Sequence, residues 1–432
     1  MKDAAIDSGE YRAAESLDAV ASLSIEPTIA ELATACTDLR DAASKVIASS
    51  RIADAIARAV NLWRDRQYPR RVSAIARIAQ NAGFSVPSMN DSIDALVRPF
   101  TRAALEALAH RAPRRAGGNS SAQYGFIMAG NVAGAGMHEV AIALIAGASL
   151  LIKTASAEPI FFTEFARTLA KIDPEVGSRI TVLNWSRERS DLTAIITAKC
   201  DRIVAYGDDA TLSSLAHGVK LIGFGSRVSG AVIAASTIAP SQIDAIADAL
   251  ARDVTRFEQL GCLSPHHIFV MTPSSEVARE FAHRMSLALD RRSQSMPPAR
   301  IPLSDAAKIL SVRENARWRR IAGDAIQVWE AARLEWTVIF DPAASFSVSP
   351  GFRTVFVSAA RDWTDLRARL VPVAGLLEAI AFAGDQADRA YFGGLVRDLG
   401  VSYIAAPGEM QSPPLDWPHG NGAFLDPMIG TR

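Results

Sequence analysis

Cysteine is scarce in this chain: Cys36, Cys200 and Cys262 are the only three in 432 residues, and they stand far apart. So few and so scattered, they build neither a disulfide framework nor a paired-cysteine zinc site, and they suit a reducing compartment; a cytoplasmic location is expected. No grouping of His, Cys, Asp and Glu has metal-ligand spacing, so no metal is expected. An excess of either charge is also missing, with 46 Lys+Arg against 46 Asp+Glu. A nucleic-acid binder normally carries a basic excess on at least one domain, and that class is disfavoured. The longest apolar run, residues 140–152, is too short to cross a bilayer and is interrupted by Gly147 and Ser149. Residues 1–15 are mixed and acidic, unlike a secretory leader. Internal repeats and low-complexity tracts are absent as well.

What is present is a half-apolar chain long enough for two or three domains at about 150 residues each. Residues 1–25 are weakly patterned and read as a loose leader. From residue 27 to 109 apolar residues recur at helical spacing: Ile29, Leu32, Ala33 and Cys36 share one face, and Ile52, Ile56, Val60 and Trp63 another. This predicts a helical N-terminal layer over 1–110 with Cys36 in its core, ended by a polar linker at 111–121.

At Tyr124 the texture changes. Strands are predicted at 124–129, 149–153, 179–185 and 201–206, with helices at 138–146, 160–169 and 192–198 between them. Such alternation means right-handed βαβ units and a parallel sheet. Strand-like segments at 220–224 and 228–235 are joined through Gly225, Ser226 and Arg227. The fold class expected is therefore α/β, with a Rossmann-like parallel-sheet domain over 111–235 and a second α/β domain over 236–400. In the second, helices are predicted at 243–257, 275–289, 304–326, 366–376 and 386–399, a polar loop at 291–300, and strands at 267–271, 336–340, 354–357 and 401–405. A Gly/Pro-rich segment at 401–432 would return toward the active site or an oligomer interface. Ligands of a parallel sheet bind beyond the carboxyl ends of its strands, where Asn131, Lys153 and Gly207 fall.

Two stretches carry candidate chemistry. Residues 130–136 form a small-residue loop of pattern GxxxGxG, which suits nucleotide contact or a turn packing a helix on the sheet. Residues 256–267 place Gly261 and Cys262 between an amphipathic helix and an apolar strand. A thiol reacts as thiolate where backbone N–H groups or a positive neighbour stabilise the charge, and Gly261 would let a substrate approach. Considered alone, Cys262 also fits a buried, inert thiol.

Taken together, the strand and Gly130-Asn131 loop, the strand ending in Lys153, the Gly207 turn, the Gly225 turn and Cys262 resemble the aldehyde dehydrogenase superfamily. The stretch FEQLGCLSP at 257–265 and the closing WPHG at 417–420 resemble more closely the bacterial fatty acyl-CoA reductases best known from the luminescence operon. The resemblance covers roughly residues 100–430. It implies Cys262 as nucleophile, the Asn131 side chain and the Cys262 N–H as oxyanion donors, Lys153 on the cofactor ribose and the Gly207 turn facing the pyrophosphate. Gly130, Ser156, Gly225 and Ser226 complete the implied cofactor site.

Departures from the superfamily pattern carry information too. Gly223 stands where hydrolytic relatives have a general-base glutamate, so an acyl-enzyme here would be poorly hydrolysed. Ser156 stands where many NAD-preferring relatives have a glutamate for the ribose hydroxyls, which favours NADPH, with NADH as the other candidate and Glu158 as a nearby acid. Ala133 replaces a frequent proline. His266 is a candidate acid/base or thiolate-orienting group, His138 could approach the cofactor, Arg227 a phosphate, and His419 with Trp417 could close over the site; Glu258 is expected to be solvated and Cys200 to lie in the core. The resemblance implies NADPH-dependent reduction of a fatty acyl thioester, on CoA or a carrier, to the aldehyde through acyl-Cys262, beside an acyl-activating synthetase and as a homo-oligomer. The competing readings are the oxidative, CoA-acylating direction and a non-catalytic acyl-binding subunit.

Overall fold

The structure, a computed structural model, describes residues 26–112, 122–215, 220–420 and Phe424. The expected leader, most of the 111–121 linker, and residues 421–423 and 425–432 of the C-terminal segment lie outside the described residues.

The N-terminal layer is helical, as its spacing predicts: α1 (Ile29–Ser44), α2 (Ser49–Arg64), α3 (Pro69–Ala82), α4 (Val86–Val97) and α5 (Arg102–Arg111). Thr28 and Glu31 form a reciprocal capping box that satisfies donors at the start of α1. The layer has no core of its own. Ile52, Ile56, Val60 and Trp63 of α2 pack into the same apolar cluster as the first sheet, and Cys36 sits with Leu151 and Ile203 in another. Trp63 is fully buried, meets Phe161 edge-on at 5.0 Å and donates to Thr168 Oγ1 at 3.1 Å.

The first sheet comprises β1 (Gln123–Ile127), β2 (Ser149–Thr154), β3 (Ile180–Asn184), β4 (Arg202–Tyr206) and β5 (Leu221–Phe224) in the order β3-β2-β1-β4-β5, all parallel. Its crossovers carry α6 (Met137–Ile145), α7 (Phe161–Ile172), α8 (Pro174–Gly177), α9 (Ser190–Lys199) and α10 (Asp209–Leu215). The strand order reverses at β1, whose two neighbours are β2 and β4, so the crevice opens beyond their carboxyl ends.

The second sheet has the order β12-β11-β6-β7-β10-β9-β8, built from β6 (Val228–Ile233), β7 (Pro265–Met271), β8 (Gln327–Glu330), β9 (Thr337–Phe340), β10 (Thr354–Ala360), β11 (Leu377–Ala383) and β12 (Tyr403–Ala405). Every pair is parallel except β8 with β9. Its helices are α11 (Pro240–Thr255), α12 (Ser275–Ser295), α13 (Leu303–Ile321), α14 (Trp363–Leu370) and α15 (Gln386–Val396).

Three expectations shift. Because β6 pairs with β7 and β11, the chain leaves the first sheet at residues 225–227, before the expected boundary at 235. α12 runs on to Ser295 through the expected polar loop, since Arg292 on its last turn reaches back to Thr255 Oγ1 and Asp91, each at 2.8 Å. The helix expected over 366–376 stops earlier, α14 ending at Leu370, and residues 377–383 form the strand β11, buried along its length.

Candidate active site

The chain enters the site through a strained turn. α11 stops at Thr255, and Phe257, Glu258 and Gln259 then take left-handed backbone with φ of 50°, 53° and 62°. Three consecutive non-glycine residues in that region hold it only when their surroundings over-determine it. Here they do. The Gln259 amide donates to the carbonyls of Pro265 and Thr354 and accepts from Thr354 N–H. The Glu258 carbonyl accepts from Phe352 N–H at 2.9 Å, and Phe352 and Arg353 are themselves left-handed. Glu258, expected to be solvated, is instead buried, because its carboxylate takes two hydrogen bonds from the Arg353 guanidinium and one from Ser88 Oγ. The turn swings the next residues out of the helical path and delivers Cys262 to a cavity of about 500 Å³ between the two sheets.

Cys262, Asn131, His266, Gly207, Gly225 and Ser226 all line this cavity. The Asn131 amide donates one hydrogen to the Leu260 carbonyl at 2.7 Å, which ties the β1 loop to the cysteine turn and leaves its second hydrogen for another acceptor. Among the described residues no backbone carbonyl accepts from the Cys262 N–H, while its own carbonyl accepts from Ser229 Oγ at 2.6 Å. The loop glycines serve packing: a Cβ on Gly134 would fall 2.3 Å from Leu96 Cδ2, and one on Gly130 would press Ala155 and Ala157 at 2.9 Å. Asp208 caps α10, its Oδ1 accepting from Thr211 N–H at 2.8 Å.

Lys153 and Ser156 do not line the cavity; Lys153 is the penultimate residue of β2 and Ser156 lies just beyond the strand. Lys153 Nζ lies 5.9 Å above the Trp185 ring. Burial lowers its pKa and the exposed Arg187, a like charge nearby, lowers it further, against the pull of Glu26. Sequence reading missed Arg187. Ser156 is exposed, whereas the Glu158 carboxylate turns inward and accepts from the N–H groups of Ile160 and Phe161 at the start of α7.

The remaining candidates separate clearly. His266 Nδ1 accepts from Ser349 N–H at 2.9 Å, and burial pushes the ring down to about 4, so it is neutral at physiological pH. His138 is buried, in contact with the Pro413 carbonyl at 3.1 Å. Arg227 is engaged by the Gly375 carbonyl and lies 3.8 Å from Glu378. Cys200 is partly buried against the core that holds Cys36.

His419 is where the tail meets the chemistry. Its Nδ1 is 2.8 Å from Glu139 Oε1, and Tyr206 O–H donates to Glu139 Oε2 at 2.8 Å. Its ring stacks 4.2 Å from both Phe224 and Trp417. Burial alone would lower its pKa, but the Glu139 carboxylate and the Cys262 thiol outweigh burial and raise it to about 10. Burial likewise opposes ionisation of Glu139, and the charge and hydrogen bond of His419, with the Tyr206 hydroxyl, overcome it to bring the acid down to about 2. Glu139 and Tyr206 went unnoticed in the sequence. The signal was a lone acid inside the apolar helix α6, whose residues are all buried.

The family model described as acyl-CoA reductase (LuxC) matches residues 120–429. Similar proteins include the long-chain acyl-protein thioester reductase of Aliivibrio fischeri, 26% identical over 247 residues that make up 55% of this chain and 48% of that protein. The long-chain acyl-protein thioester reductase 2 of Photobacterium leiognathi is 22% identical over 247 residues, 56% of this chain and 49% of that one. The chain thus aligns with about half the length of these relatives. Among solved structures, an NAD-dependent benzaldehyde dehydrogenase from Corynebacterium glutamicum superposes with a TM-score of 0.68 at 16% identity, covering 93% of this chain and 89% of that one. A salicylaldehyde dehydrogenase from Pseudomonas putida G7 gives 0.66 at 14% identity, covering 89% and 83%. The fold is that of the aldehyde dehydrogenases.

Proposed function

The chain belongs to the acyl-CoA reductase (LuxC) family, and from that premise we propose that it reduces a fatty or related acyl thioester to the aldehyde through an acyl-Cys262 intermediate, with NADPH as reductant. The observation that carries this reading is the meeting of Cys262 with the Asn131 amide in one cavity at the carboxyl ends of the first sheet.

The Cys262 thiolate attacks the acyl carbonyl. The spare Asn131 hydrogen and the Cys262 N–H hold the oxyanion, and its collapse breaks the bond to the donor sulfur and leaves the acyl group on Cys262. A bound nicotinamide supplies the hydride. The residues that would hold it are Lys153 and Arg187 around the adenosine end and the Gly207 and Gly225 turns nearer the cysteine. Two cations, with Glu158 spent on the start of α7, favour a 2′-phosphate over bare ribose hydroxyls. After hydride arrives at the acyl carbon, collapse of the second tetrahedral oxyanion expels Cys262 and frees the aldehyde. β5 offers no carboxylate to activate water, since Gly223 faces Leu212.

Relatives named as acyl-protein thioester reductases support a protein-bound acyl donor beside acyl-CoA; the source we propose for it is an acyl-activating synthetase. No helix among the described residues is long and apolar enough to cross a membrane; we place the enzyme in the cytoplasm as a homo-oligomer. Intact mass after mixing with a long-chain acyl-CoA, without cofactor, tests the reading. One acyl adduct is expected on the wild-type chain and none on Cys262→Ala, with NADPH discharging the adduct as aldehyde. An adduct that survives Cys262→Ala would sink the mechanism.

A further inference from the structure

We propose that His419, held by Glu139, is the general acid of this site: it delivers the proton that the departing donor thiol needs, and the C-terminal segment thereby supplies the acid/base group that β5 lacks. The proposal rests on the acyl-Cys262 reading and adds to it the proton path.

The geometry is that of a built site. Phe224, the ring against which His419 stacks, ends β5 and also stacks on Tyr206 at 4.8 Å, so the imidazole is seated on a fixed aromatic wall of the cavity. Trp417 on its other face is anchored by Nε1–H donation to Ser402 Oγ at 2.9 Å. Glu139 takes Nδ1, which fixes the ring and leaves Nε2 as the nitrogen for the reacting groups. Cys262 and His419 line the same cavity, which brings the imidazole to the side of the pocket where the sulfur and its acyl group react.

The charged and titratable groups around the ring are accounted for. Glu139 lies on α6 and Cys262 on the turn after α11. Tyr206, at the end of β4, keeps its phenol protonated, because burial and then Glu139 raise its pKa. His138 on α6 is kept neutral by burial, against Glu139. Asp416 is exposed and paired with Arg111 at 3.7 Å. Glu139 therefore sets the charge of His419, which is an imidazolium at neutral pH.

The step balances. The sulfur of Cys262 forms a bond to the acyl carbon, the bond from that carbon to the donor sulfur breaks, and the donor sulfur takes the Nε2 proton and leaves as thiol. His419, now neutral beside Glu139, is recharged by a proton from solvent. A bound nicotinamide would supply the hydride that turns the acyl group into aldehyde, and Cys262 leaves as thiolate. The sum consumes one thioester, one hydride and one proton and yields one aldehyde and one thiol. A recharged imidazolium is no base for water, so acyl-Cys262 waits for hydride instead of hydrolysing.

A leaving-group comparison tests this. Single-turnover acylation of the full chain is followed with a long-chain acyl-CoA, whose thiol needs a proton to depart, and with the p-nitrothiophenyl ester of the same acid, whose thiolate does not. In His419→Gln, acylation by acyl-CoA should fall on the order of 100-fold while the activated ester reacts within a few-fold of wild type. Glu139→Gln should move the alkaline fall of the acyl-CoA rate from near 10 toward the ordinary imidazole range. Equal slowing with both donors, or no slowing with either, overturns the proposal and leaves acyl-Cys262 standing. No adduct on wild type with either donor overturns both.

Discussion

Glu258 and Arg353 form a fully buried ion pair, Nε to Oε2 at 2.8 Å, in which both residues have left-handed backbone. The pair links the cysteine turn to the loop before β10, and the guanidinium is further held by the Met296 carbonyl at 2.8 Å. Removing one partner strands a charge out of water, so Glu258→Ala and Arg353→Met should each cost about 3–5 kcal/mol of stability. Urea denaturation midpoints check this, and a variant within about 0.5 kcal/mol of wild type would mean the pair does not hold the turn.

Asn131 is exposed and bonds only lightly to its surroundings. Asn131→Ala should leave the thermal midpoint nearly unchanged yet slow acylation of Cys262 on the order of 100-fold, the usual loss for one oxyanion donor. Rapid-quench detection of the acyl adduct provides the measurement; an unchanged rate removes Asn131 from the chemistry.

Arg187 lies near enough to Lys153, at the end of β2, to lower its pKa. Arg187→Glu places an acid where a 2′-phosphate would sit, and the KM for NADPH should rise on the order of 10-fold or more while that for NADH changes little. Steady-state aldehyde formation with each nucleotide decides between them; parallel changes would put Arg187 outside the phosphate site.

His266 and His267 make the fold sensitive to acid. Burial holds His266 down at about 4 and His267, with Arg369 adding to the effect, at about 3. Both stay neutral in the native state while the unfolded chain binds protons below about 6.5. Their stability is therefore full above that pH and drains away as pH falls toward 4 and 3, a loss of several kcal/mol in all. Denaturation midpoints measured from pH 7 to pH 4 should fall steeply. His267→Gln should flatten the slope, and an unchanged slope would contradict the assignment.

Much of the architecture was legible because it is written in local periodicity. Short apolar runs alternating with helical segments located the strands and helices of the first sheet, and Ile52, Ile56, Val60 and Trp63 declared their shared face. The second sheet was harder. β8 is a short edge strand with half-buried residues, and the strand β11 has a continuous apolar pattern that cannot by itself distinguish strand from buried helix.

The site divides the same way. Asn131 and Lys153 were placed by the ends of predicted strands, which a parallel sheet brings to one edge whatever the side chains, and Cys262 was singled out by its resemblance to the family's cysteine turn. The Glu139–His419 pair spans nearly the whole chain, and Glu258 with Arg353 joins two turns whose left-handed backbone no residue preference announces. By itself the sequence determined the alternating strands and helices of the first sheet, Cys262 as the candidate nucleophile and the glycine at 223. Only the docking of the tail across the two sheets decided which imidazole meets the thiol, and which carboxylate keeps it charged. Such contacts arise from how whole elements pack, and desolvation and charge pairing act only after packing has brought the groups together.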